Sequence, residues 1–282
     1  MKIALCLYGV VGGKRGKAGD DPASLEVLKL GHEKYKSSLF DNYDVDVYLH
    51  TWSQEYEKEI LDIYKPKAHI IEEQERFSIP DHIIGDNSEQ PNRRQNHFSR
   101  WRSTQKVLRL KSESKEAYDF TLVSRFDIGF EKPIDFSSLD PECIYLSNWV
   151  GASYNGVSDV FEDGRGVYYE KEREIDKGKM HLYGRGYPHN HEGVMDLWMM
   201  GGEDTIKIFE NLFDNISLYQ IPGNVPNAPG ISNHQLLLYH IRKNNLIDKL
   251  KFITNPMEDH CVLRYKYFGC KDSDISTLLR SK

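Results

Sequence analysis

The stretch from Asp119 to Phe130 constrains the fold of this chain more than any other, because an apolar strand, Phe120 to Val123, ends abruptly in Arg125 and Asp127. In open α/β sheets the carboxyl ends of the strands face the crevice where ligands bind, so charge at such an end is well placed to meet a phosphate or a metal. The competing reading is a surface turn closed by a local ion pair.

The rest of the first half supports a sheet of this kind. Lys2 to Leu7 reads as a core strand, Pro22 to Leu39 as a helix with apolar Leu25, Leu28 and Leu39, and Val45 to Leu49 as a second strand. Gln54 to Tyr64 reads as helix and Lys67 to Ile71 as extended chain. Phe77 to Asn96 is a polar loop broken by Pro80, Gly85 and Pro91, and His97 to Leu110 is a helix feeding the strand that ends at Arg125. This is β-α-β alternation. From Val150 to Tyr187 regularity fails, and a segment so rich in Gly, Tyr and charge suits a binding loop or lid. Order returns with Leu197 to Met200, a helix at Thr205 to Phe213 and another at Asn233 to Asn245.

Composition narrows the function. The 282 residues are 39% hydrophobic, enough for a sizeable core, and 43 acidic against 37 basic side chains give a net charge of −6. That balance speaks against a protein that coats nucleic acid, and any basic site must be local. Lys2 and the following apolar run are too short for a signal-peptide core, and no run reaches the roughly 18–20 apolar residues that span a bilayer. Cys6, Cys143, Cys261 and Cys270 are widely spaced and form no C-x-x-C pair, which fits a reducing cytoplasmic setting.

The first strand running into a Gly-rich loop, the Tyr118-Asp119 pair before an apolar strand, Arg125-Phe126-Asp127 at its end, Asp196 to Gly201, and Asn233 to Leu238 occur in that order. Together they resemble bacterial and viral glycosyltransferase-like proteins of the GT-A type over roughly residues 2 to 250. The resemblance implies a Rossmann-type mixed α/β sheet flanked by helices in one domain. Residues 1–130 would form the nucleotide-sugar half and 131–282 the acceptor half, with a lid at 150–187. It implies a nucleotide-diphosphate sugar as donor, a glycan as acceptor, and a divalent metal, Mn²⁺ or Mg²⁺, commonly held by Asp-x-Asp. Here that triplet is Asp127-Ile128-Gly129, so the second carboxylate is missing. In similar folds a carboxy-terminal histidine often completes the metal site, a position that His260 matches.

Chemistry gives these residue types a purpose. Breaking a glycosyl bond to a diphosphate builds negative charge on the leaving group, and a metal or an arginine placed there stabilises the transition state. Asp127 offers oxygen to a metal, while Arg125 either pairs with a phosphate or locks Asp127 in place. As an exposed strand-end position, Asp127 is expected to tolerate alanine without loss of the fold.

Gly9 at the end of the first strand permits close backbone approach to a diphosphate, and Lys14, Arg15 and Lys17 follow. The loop is not a P-loop, since three residues, not four, separate Gly9 from Gly13 and Arg15 follows Lys14. Near a helix amino terminus, Arg100 or Ser103 offers a phosphate contact, and Trp101 belongs in the core. Asp196 is the candidate general base on the acceptor side, with His191 and Glu192 as alternatives, and Trp149, Tyr154 and Trp198 are candidates to stack on sugars. Two other functions fit the same residues: a non-catalytic carbohydrate or nucleotide-sugar binding module, and a phosphoryl- or nucleotidyltransferase.

Overall fold

The computed structural model describes residues 1–11, 24–83, 93–147, 156–160, 166–170, 194–225, 232–254 and 259–264. The chain opens with β1 (Lys2–Gly9), α1 (Ser24–Tyr35), which continues into a π-helical turn at Lys36–Phe40, β2 (Asp44–Thr51), α2 (Glu57–Tyr64) and β3 (Ala68–Ile71). The 21-residue α3 (Arg93–Glu113) leads to β4 (Phe120–Arg125) and, across Phe126 and Asp127, to β5 (Ile128–Phe130). Next come β6 (Ile144–Ser147), β7 (Gly156–Val160), β8 (Gly166–Glu170), β9 (Trp198–Gly201), α4 (Glu203–Lys207) and α5 (Leu212–Tyr219). The described chain closes with α6 (Asn233–Lys243), β10 (Leu250–Thr254) and β11 (His260–Val262).

Seven strands make one mixed sheet in the order β10-β6-β9-β4-β1-β2-β3. β1 lies parallel to both β2 and β4, β2 is parallel to β3, and β10 is parallel to β6. β9 runs antiparallel between β4 and β6. The protein is therefore α/β with a mixed sheet.

The reason for the central position of β1 is visible along it. Ile3, Leu5 and Leu7 enter the core on one face, packed with Leu28 and Tyr35 of α1, while Ala4, Cys6 and Tyr8 enter the core on the other, with Trp101 and Leu108 of α3. Side chains of a strand alternate between faces, so a strand apolar at every position needs both faces covered. Removing one large side chain from such a layer, Trp101→Ala for example, costs about 3–5 kcal/mol. Close packing also dictates Gly31 in α1, where a Cβ would lie 2.4 Å from the carbonyl oxygen of Phe126. At α6 the hydroxyl of Ser232 caps the helix by accepting from the amide of Gln235 at 3.3 Å.

Most expected elements are present, with differences, among them that α3 begins at Arg93, inside the expected Phe77 to Asn96 loop. The helix expected at Thr205 to Phe213 is divided into α4, a 3₁₀ turn at Ile208–Asn211, and α5. Short β6 and β10 were not legible as strands. Within the segment expected to be an irregular lid, β7 and β8 form an antiparallel pair; the remainder of 150–187 lies outside the described residues. No helix among the described residues is long and apolar enough to cross a membrane. Cys6, Cys143 and Cys261 are buried in the interior.

Candidate functional site

The topology selects one place on this sheet. From β1 the chain steps outward through β2 to β3, then crosses back to lay β4 on the opposite side of β1. Such a reversal leaves a crevice at the carboxyl ends of the two strands, where α/β proteins bind ligands. Gly9 ends β1 and Arg125 ends β4, with Tyr8 the register partner of Arg125. Because β9 is antiparallel, its beginning lies at the same edge, Trp198 opposite Ser124, and so brings Asp196 there. Gly9, Arg125 and Asp196 thus share the edge on which the sequence reading placed them, and α3 adds Arg100.

Gly9 adopts φ +99°, a conformation that L side chains rarely take, and a Cβ built on it meets nothing within 4 Å among the described residues. Its backbone polar groups are both used within the protein. The amide donates to Ser103 Oγ at 2.8 Å, and the carbonyl accepts from the amide of Trp52 at 3.2 Å. Gly9 therefore offers a ligand close approach, not a hydrogen bond. Val11 is tethered as well, its amide donating to Ser53 Oγ at 3.1 Å. Ser103, expected to face a phosphate, is wholly buried and turned toward Gly9 and His50.

Asp127 differs from expectation. Its side chain is 2% exposed, and Arg125 grips both carboxylate oxygens, Nε to Oδ1 at 2.8 Å and Nη2 to Oδ2 at 2.5 Å. Arg264 approaches Oδ2 from the carboxy-terminal segment at 3.2 Å, and the amide of Leu263 donates to the Asp127 carbonyl at 2.8 Å. Burial pushes the carboxyl pKa upward, but the charges of Arg125 and then Arg264 outweigh it and hold the acid below its ordinary range. The expectation of an exposed, substitutable strand end is corrected: Asp127 is the anion around which two guanidiniums are packed. Of the two roles open to Arg125, the lock on Asp127 is present.

These residues do not fit a divalent metal. Both Asp127 oxygens are taken by arginines, and the position of the missing second carboxylate is closed, since a Cβ on Gly129 would lie 2.5 Å from Leu263 Cδ2. His260 pairs with Phe130 in the β5–β11 ladder and packs its ring against Phe130 and Trp198. Its Nδ1 meets Thr254 Oγ1 at 3.1 Å, and burial lowers its pKa to about 4. Among the described residues no three His, Cys, Asp or Glu side chains gather as a metal cage requires.

Asp196 is held from two sides. Arg100 reaches both its carboxylate, through Nη1, and its backbone carbonyl, through Nη2, while also donating to Tyr8 Oη at 2.7 Å. On the other side His234 Nδ1 lies 3.2 Å from Asp196 Oδ1 and 2.9 Å from the carbonyl of Val194. With acceptors on both contacts, Nδ1 carries a proton. Burial lowers the pKa of Arg100, though a guanidinium stays charged. Trp101 is in the core as expected and anchors α6 by donating to Asn233 Oδ1 at 2.9 Å.

Sequence reading missed Tyr8, His50, Ser53, Glu72, His234 and Arg264. Tyr8 and Ser53 sit at or just beyond strand ends, a signal that was available; Arg264 and His234 are linked to the site only by tertiary packing. Lys14, Arg15, Lys17, Trp149, Tyr154, His189, His191 and Glu192 lie outside the described residues. Compared with known proteins, the chain matches no family model, and a search of curated proteins finds no match.

Proposed function

We propose that this protein transfers a sugar from a nucleotide-diphosphate donor to a glycan acceptor, with the donor diphosphate in the crevice between β1 and β4. The observation that carries the reading is Gly9: a positive-φ residue whose Cβ would meet none of the described residues within 4 Å, at a topological switch point, flanked by Arg125 and by the Arg100-Asp196 pair. Arg125, whose Nε and Nη2 are turned to Asp127, sets its positive charge beside the leaving phosphate, the role that a metal fills in other sites. Asp196 and His234 form the acid–base pair on the acceptor side, one hydrogen bond from each other. Arg100 fixes Asp196 in the required position.

A second reading is favoured by one observation, the commitment of Asp127 to two arginines: a module that binds nucleotide sugars without turning them over needs no uncommitted acid at that strand end. One experiment separates the two. Incubation with a panel of nucleotide sugars, in Mn²⁺ and in excess chelator, is expected to give slow donor hydrolysis from one of them in both conditions. Binding without hydrolysis or transfer establishes the module, and absence of both binding and turnover overturns the site.

A further inference from the structure

A chain of hydrogen bonds, its central link buried, runs from Glu72, just past β3, to Gly9 at the end of β1. His50, on β2 and fully buried, contacts Ser103 Oγ through Nδ1 at 2.6 Å and Glu72 Oε1 through Nε2 at 3.0 Å. Ser103 Oγ in turn accepts the Gly9 amide at 2.8 Å. With the imidazole neutral, as its lowered pKa makes it, the donors and acceptors along the chain are assigned, the His50 carbonyl 3.5 Å from Ser103 Oγ being the weaker alternative acceptor. Glu72 can only accept, so Nε2 carries the imidazole proton; Nδ1 then accepts the Ser103 hydroxyl, whose lone pairs face Gly9. The carboxylate charge polarises each link in the same sense and strengthens the last one.

The surroundings support this neutral tautomer. Lys106 of α3 binds Glu72 and Glu75 together, keeping the negative end of the chain anchored, and the Trp52 ring meets the imidazole edge-on at 4.4 Å. Burial, acting against Glu72, brings the imidazole pKa down to about 4.

The three residues superficially match a nucleophilic Ser-His-acid triad in their distances. Two features argue otherwise. Ser103 has no exposed surface, and its oxygen already accepts the Gly9 amide. Serine also contacts Nδ1 and the acid Nε2, the reverse of the assignment in the worked serine-protease triad.

The geometry points to Glu72, His50 and Ser103 as positioning residues that act on the crevice through Gly9, holding the end of β1 in its positive-φ conformation and so keeping the space beside it open for the ligand diphosphate. Identifying the ligand as a diphosphate rests on the functional reading above; the effect on Gly9 does not.

The test uses the full chain and two readouts. Hydrogen exchange of the Gly9 amide, followed by ¹⁵N NMR, reports the relay directly; affinity for UDP, GDP, CDP and ADP reports its consequence. In Ser103→Ala and His50→Phe, Gly9 exchange is expected to accelerate about tenfold or more, matching the loss of roughly one hydrogen bond, and affinity for the bound nucleotide to fall comparably. Glu72→Gln, at a partly exposed position, is expected to give a smaller change in the same direction, and Ser103→Thr, which retains the hydroxyl, to restore slow exchange. Unchanged Gly9 exchange in both Ser103→Ala and Glu72→Gln overturns the relay, as does labelling of Ser103 by a fluorophosphonate. If the wild-type chain binds none of the four nucleotides, the functional reading fails while the exchange arm still decides the relay.

Discussion

Arg125 and Asp127, two residues apart, face each other in a bidentate fork with N···O distances of 2.8 and 2.5 Å, and the carboxylate is sealed from water with Arg264 against its second oxygen. A motif that reads as a donor-binding strand end is therefore also a buried ion cluster tying β4 to the carboxy-terminal segment.

Substituting Asp127 by alanine leaves two guanidiniums without their carboxylate, and removal of one partner of a buried pair costs about 3–5 kcal/mol. Asp127→Ala is thus expected to lower stability by that amount in urea denaturation, and Arg125→Lys to lose the planar fork at a smaller cost. Wild-type stability in Asp127→Ala would show that the cluster contributes nothing to the fold.

Restoring an acidic pair is expected to fail. Gly129→Asp places a Cβ 2.5 Å from Leu263 Cδ2 and 3.1 Å from Lys34 Cγ, and overpacking of this kind costs about 1–3 kcal/mol. Calorimetry with Mn²⁺ should detect no gain in affinity over wild type. A tight new metal site in this variant would refute the account of why the second carboxylate is absent.

Gly9→Ala separates strain from steric collision, since none of the described residues would lie within 4 Å of the new Cβ but the φ of Gly9 is +99°. A left-handed conformation costs an alanine about 1–2 kcal/mol, so a modest drop in the melting midpoint is expected. Nucleotide binding should fall more than that strain alone accounts for, because the methyl occupies the proposed ligand space. Equal binding in wild type and variant would move the ligand away from β1.

Asp196→Asn keeps the shape of the acid–base pair and removes its charge. Turnover is expected to fall by about 10²–10⁴-fold with nucleotide affinity nearly unchanged, the signature of a group acting on the acceptor. A parallel loss of nucleotide binding would instead assign Asp196 to donor recognition through Arg100.

His50, His240 and His260 are buried neutral, each with its pKa lowered from 6.5 to about 4. Between those values the unfolded chain binds more protons than the folded one, so stability is whole above pH 6.5 and is lost as the pH falls toward 4. Each histidine contributes on the order of 3 kcal/mol to that loss. His240 is typical: it is buried, and its ring contacts the carbonyl of Ile208 at 2.9 Å and Tyr219 Oη at 3.1 Å. Urea midpoints at pH 7.5 and 4.5 measure the effect, and equal midpoints would contradict it.

The local sequence determined the elements that bury apolar surface over many residues. The uninterrupted apolar run of β1 and that of β4 require cover on both faces, and their ends locate Gly9 and Arg125 at the crevice without further information. Helices α1 and α6 are legible for the same reason, since an apolar stripe averages out local ambiguity, whereas polar α3 begins at Arg93, four residues inside what reads as a loop. Four-residue β6 and five-residue β10 carry too few positions to show a period, and nothing local reverses β9; its direction comes from packing between β4 and β6. The chemistry of the site depends on tertiary structure still more. Asp127 reads as an exposed acid until Arg264 closes on it, and His50 and Ser103 are ordinary polar residues until the sheet and α3 bring them within 2.6 Å. Charge partners and proton positions depend on distances of a few ångströms between segments remote in sequence, and only the folded packing sets those distances.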